Sequence, residues 1–133
     1  MWRSDGRRPS GADLSRANLQ GSYLFHAILR HADLTWADLK ESFVYEADLQ
    51  GANLQNADLR GVDFTGANLS GANLKGAYLE NANLENSNLN KTNLSGTSLT
   101  TVKGLTAEQI ATMFTDNATQ LPQNQTVSPS NAK

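Results

Sequence analysis

Gly66-Ala67-Asn68-Leu69-Ser70-Gly71-Ala72-Asn73-Leu74-Lys75-Gly76-Ala77-Tyr78-Leu79-Glu80 is one five-residue unit written three times. Each unit places a small residue two positions before a leucine and a turn-forming residue two positions after it. Working outward, the pattern holds from Leu14 to Leu99, where all eighteen central sites are apolar and only Val44 and Phe64 are not leucine. The small slot holds alanine, serine or threonine, with Val62 as the single larger occupant. An α-helix with this period would spread its leucines over every face, and a flat strand with an odd period would send alternate leucines to opposite sides. A chain that turns by a constant angle after each unit aims every leucine at one axis, and the result is a solenoid.

The departures from the repeat give the number of sides. Tyr23 lies twenty residues before Phe43, Phe25 twenty before Tyr45, and Val44 twenty before Phe64. Four units therefore close one coil. This register sets the smaller Val44 beside the larger Phe64 in adjacent layers, so that the two share volume. At the usual strand spacing about four and a half coils make a rod of roughly 22 Å.

These residues resemble the pentapeptide-repeat family, whose unit runs small, Asp or Asn, Leu or Phe, polar, Gly. Ala12-Asp13-Leu14, Ala67-Asn68-Leu69 and Ala72-Asn73-Leu74 are typical, and the likeness covers residues 11–101. The resemblance implies an all-β solenoid, a right-handed quadrilateral β-helix, in the short format common among cyanobacterial members. Glycine or asparagine often fills the corner slot, as a permissive backbone angle requires. His26, His31, Trp36, Glu41 and Glu46 fill it in succession, and another turn type is expected at those corners.

The open ends of such a stack need covers. Residues 102–122 read as a helical cap, with a helix over about 107–114 that starts in a Thr106–Gln109 capping box and a Leu105–Ile110 staple. Its apolar face, Ile110, Met113 and Phe114, is expected on the last coil. Residues 1–10 read as a frayed tail, the alternative being that Trp2 folds over the first coil, and residues 123–133 as a disordered tail.

Composition excludes several functions. The 133 residues are 38% apolar and carry a net charge of −2, a balance with no general attraction for nucleic acid or anionic lipid. No cysteine is present, so neither a disulfide framework nor a thiolate metal site exists. Arg7 and Arg8 have no apolar run behind them to complete an export signal, and a cytoplasmic location is the expectation. A leucine-filled interior leaves no cavity for catalysis, and no cofactor motif is found, so a non-enzymatic module without cofactor is expected.

One patch stands out. The register brings Tyr23, Phe25, Phe43 and Tyr45 together on the outside of one face, with Ile28 and Trp36 on the two neighbouring faces as extensions. Contiguous exposed apolar area is how contact surfaces look, although cross-coil ring pairs also stabilise a sheet. The expected partner is a protein, with the chain itself a monomer or weak homodimer. His26, His31 and Glu46 suggest a metal, but two histidines at this spacing sit on neighbouring sides, and a solvated His26–Glu46 pair is the better reading. Asp13, Asp33, Asp38, Asp48, Asp58 and Asp63 raise a runner-up. Some members of the resembled family mimic DNA and modulate type II topoisomerases such as gyrase. Here Asn53, Asn68, Asn73 and Asn93 dilute the acidic columns, and Arg16, Arg30, Lys40, Arg60 and Lys75 interrupt them.

Overall fold

The structure, a computed structural model, describes residues 11–123. The expectations for residues 1–10 and for the tail beyond Gln123 lie outside the described residues. The chain forms a right-handed quadrilateral β-helix. Parallel bridges join Asp13 to Asp33, Asn18 to Asp38, Tyr23 to Phe43 and Ile28 to Asp48, and they continue upward with the same step of twenty as far as Asn83–Lys103. Face 1 thus carries Asp13, Asp33, Asn53, Asn73 and Asn93. Face 2 carries Asn18, Asp38, Asp58, Tyr78 and Ser98. Face 3 carries Tyr23, Phe43, Asp63, Asn83 and Lys103, and face 4 carries Ile28, Asp48, Asn68 and Asn88.

One unit shows where the backbone donors go. Asp33 N donates down to Ala12 O at 2.8 Å, while Leu34 N and Trp36 N donate up to Asn53 O at 2.7 Å and Gln55 O at 3.0 Å. Ala37 N closes the corner on Leu34 O at 3.1 Å. The remaining donor, Thr35 N, goes to the Asp33 side chain, Oδ1, at 3.0 Å. Every amide of the unit is satisfied, three of them between coils, and this is why such short sides are stable without long strands.

The corners contradict the expectation of a second turn type. Arg16, His26, His31, Trp36, Glu41, Glu46 and Lys91 all adopt φ between 57° and 61°, beside Gly21, Gly51 and Gly61 at 68–71°. Positive φ at the third residue of a turn closed by an i to i+3 hydrogen bond is the type II pattern, and all corners from Arg16 to Gly96 share it. The coil geometry fixes the turn, and the larger residues bear the left-handed cost of roughly 1–2 kcal/mol. Three of these side chains, His31, Glu41 and Glu46, rise over glycine corners of the next coil. A Cβ on Gly51 would lie 2.4 Å from His31 Nδ1, and one on Gly61 would lie 2.6 Å from the Glu41 carboxylate.

Leucines from Leu29 to Leu99, with Val44 and Phe64, are buried on the axis together with the small-slot alanines. Leu14, Leu19 and Leu24 of the first coil are only partly buried. The C-terminal cover differs from expectation. Helix α1 spans Ala107–Thr112, shorter than the expected 107–114, although its Thr106–Gln109 capping box is present. Met113 leaves the helix with extended angles because the chain is drawn back into the ladder, with Lys91 N donating to Thr112 O and Phe114 N donating to Thr92 O, each at 2.8 Å. Ile110 and Met113 are buried as expected, whereas Phe114 belongs not to the helix but to a bridge with Asn93. Gln120 then bridges Ser98. The cap is therefore a last, irregular coil in which α1 takes the place of one side.

Candidate aromatic contact face

Face 3 departs from its neighbours at the residue before the axial leucine. In most other units Asp or Asn stands there and its Oδ1 accepts from the amide two residues on, as in Asp13 to Ser15 at 3.0 Å and Asn68 to Ser70 at 3.0 Å. Tyr23 and Phe43 cannot make that bond. Stacking takes its place: the Tyr23 and Phe43 rings lie 5.0 Å apart and 7° from parallel, and Phe25 and Tyr45 lie 5.3 Å apart, also at 7°. Tyr23 meets Phe25 edge to face at 6.5 Å, joining the two stacks. The four rings form one block, built by the register, on a rigid backbone.

The block is open to solvent. Tyr23 is 75% exposed, Phe25 46% and Phe43 38%, with Tyr45 half-buried. Ile28 lies across the next corner on face 4, half-buried. Trp36 does not join the block. It occupies the corner between faces 1 and 2, where the Arg16 guanidinium sits 5.6 Å from its ring centre, and the whole of face 2 separates it from the rings. Tyr78, 53% exposed on face 2, is a further exposed ring that the sequence reading passed over. Its signal was present, since it too replaces the Asp or Asn of its unit.

Acidic groups surround the rings. Glu41 and Glu46 stand at the corners on either side of Phe43–Tyr45, and Asp63 pairs with Phe43 in the ladder. Glu46 Oε2 lies 3.6 Å from His26 Nδ1, the exposed pair expected from the sequence. His31 is on another corner, and among the described residues no cluster of three metal-ligating side chains forms. On face 2, Arg60 Nη2 meets Asp58 Oδ2 at 2.6 Å, and Lys40 Nζ is 3.7 Å from Asp38 and 3.9 Å from Asp58. The Arg60 hydrogen bond holds the Asp58 carboxyl below the usual carboxylate range. Hydrogen bonds from the Ser15 hydroxyl and amide do the same for Asp13.

The other surface feature is a shallow trough of about 410 Å³ along the corner between faces 4 and 1, lined by His31, Gln50, Gly51, Ser70, Gly71, Asn90 and Lys91. Two successive glycines at one corner open it. Within it the Ser70 hydroxyl donates to Asn68 Oδ1 at 2.7 Å. No helix among those residues is long and apolar enough to cross a membrane.

Comparison with known proteins agrees with this architecture. A family model described as pentapeptide repeats, eight copies, matches residues 10–43, 27–66, 45–81 and 67–103. A pentapeptide repeat protein from the Arabidopsis thaliana thylakoid lumen is 37% identical, covers 78% of this chain and 72% of its own, and superposes with a TM-score of 0.73. Rfr23, from the cyanobacterium Cyanothece 51142, is 38% identical over 71% of this chain and 63% of that one, with a TM-score of 0.64. A third, from Nostoc, is 28% identical over 98% of this chain and 88% of that one, with a TM-score of 0.66. No match is found among curated proteins. With its repeats matched along most of their length, the chain belongs to the pentapeptide-repeat family.

Proposed function

We propose that the chain is a non-enzymatic protein-interaction module whose contact surface is the ring block of Tyr23, Phe25, Phe43 and Tyr45, with Ile28 at its margin. The observation that carries this reading is the stacking of four rings in the open, two of which, Tyr23 and Phe43, stand where most units hold an Asp or Asn whose side chain accepts from a backbone amide. Contiguous exposed aromatic area on a rigid support loses little entropy on binding, and aromatic residues are enriched in interface cores. No thiol ties the module to a redox environment, so the reading is independent of compartment.

The fold itself supplies a clean test. Phe43→Asn with Tyr45→Ser recreates the Asn68–Ser70 side, in which Asn68 Oδ1 accepts from both Ser70 N and Ser70 Oγ. The double variant is expected to fold with at least wild-type stability and to lose its captured partners in affinity capture from source lysate, while a Tyr78→Asn control keeps them. An unchanged partner set in the double variant contradicts the reading.

A second reading, DNA mimicry toward a type II topoisomerase, draws on the in-register carboxylate pairs Asp13–Asp33 and Asp38–Asp58. Lys40 and Arg60 neutralise the second pair, which weakens the stripe that such mimicry needs. A gyrase supercoiling assay with excess protein decides it, inhibition favouring mimicry and unaltered supercoiling opposing it.

A further inference from the structure

We infer that the occupant of the ring block is a basic segment of another protein, with arginine or lysine side chains set between apolar ones, and not a second copy of this chain. The inference rests on the contact-face reading and adds the chemistry of the partner. Around the rings the carboxylates predominate: Glu41 and Glu46 at the flanking corners, the latter facing His26, Asp63 above Phe43, and Glu85 two coils above Tyr45 in the same column, while Lys103 stands at the top of face 3, three coils above Phe43. The nearest cations are already engaged. Lys40 and Arg60 are turned onto Asp38 and Asp58 of face 2, and Arg30 onto Asp48 of face 4. Among the described residues Glu41 and Glu85 have no salt bridge, and Asp63 uses one carboxylate oxygen, Oδ1, for both of its bonds to Thr65.

Aromatic faces edged by free carboxylates suit a guanidinium or ammonium group, which gains from the ring quadrupole and the rim charge together. The molecule makes one such contact within itself, the Arg16 guanidinium over Trp36. A second copy fits badly. A twofold contact through this face sets the same acidic rim against itself, and like charges facing across an interface are repulsive. The chain's own first ten residues carry Trp2, Arg3, Arg7 and Arg8, so a competing occupant of similar chemistry exists and enters the test.

The probe is a fluorescein-labelled peptide of alternating leucine and arginine, with a leucine–glutamate peptide as control, read by fluorescence anisotropy on the full chain at low and moderate salt. The basic peptide is expected to bind at least about tenfold more tightly than the acidic one. Glu41→Gln with Glu85→Gln should weaken it about fivefold or more and flatten its salt dependence. Phe43→Asn with Tyr45→Ser should abolish binding. Equal binding of the two peptides, or no effect of the glutamate variants while the ring variant still loses binding, overturns the inference and leaves the contact face standing. Binding by the ring variant as strong as wild type removes the contact face itself. A concentration-dependent dimer in sedimentation that the ring variant dissolves identifies a second copy and overturns the inference. Tighter binding when Arg3, Arg7 and Arg8 are all replaced by serine identifies the chain's own segment as occupant, and does the same.

Discussion

Ser42 occupies a small slot on the axis side of face 3 and is 1% exposed, yet its hydroxyl has no hydrogen-bond partner. The other buried hydroxyls in that slot are satisfied: Ser87 Oγ donates to Leu84 O at 2.8 Å and Thr97 Oγ1 to Leu94 O at 2.7 Å. A buried polar group left unpaired costs about 1–3 kcal/mol. Ser42→Ala, which restores the commonest occupant, should therefore stabilise the protein by about 1 kcal/mol, seen as a higher urea midpoint at unchanged slope. A lower midpoint contradicts the assignment. At this scale the sequence was only partly legible. The twenty-residue spacing was enough to pair Tyr23 with Phe43 and Phe25 with Tyr45, because a register is a property of the whole repeat. The role of Asp and Asn was not visible. They read as an outward acidic ladder, whereas their Oδ1 atoms close the turn onto the amide two residues on, a task that the neutral Asn53 and Asn73 perform as well as Asp33.

The element that carries most of the structure is the side with its corner, and the C-terminal cover shows how the repeat is brought to a halt. Gln109 does two jobs there. Its backbone and side chain form the capping box with Thr106, and its Nε2 donates to Leu84 O at 2.8 Å and Ser87 O at 3.0 Å on the preceding coil. Those carbonyls belong to an edge that would otherwise face solvent as a site for aggregation. Gln109→Ala should cost about 1–3 kcal/mol in urea unfolding, and Gln109→Glu, which can rebuild the capping box but cannot donate, should recover only part of it. Full recovery by glutamate would show that the edge bonds contribute nothing. The capping box was legible because it is local chemistry. The early end of α1 was not, since it is set by ladder bonds from Thr92 and Lys91, about twenty residues distant in sequence. The corner angles of His26, Trp36 and Glu41 were misread for a related reason. Local preference opposes positive φ in such residues, and the closure of the coil overrides it.

At the scale of the whole molecule, one quantity underlies both the core and the proposed contact face: the number of residues in a coil. A step of twenty puts Val44 beside Phe64, stacks the rings of face 3 and sets Glu41 over Gly61. The absence of native cysteine makes this step directly measurable. Thr65 and Glu85 stand in the column of Phe25 and Tyr45, one coil apart, where adjacent backbones are about 4.8 Å from each other and within disulfide reach. Thr65→Cys with Glu85→Cys is therefore predicted to oxidise to an intramolecular disulfide in the folded protein, while Thr65→Cys paired with Glu80→Cys or with Asn90→Cys stays reduced under the same conditions. Rapid closure of either control pair, with the Thr65–Glu85 pair remaining as free thiols, would contradict the four-sided coil and remove the ring block with it.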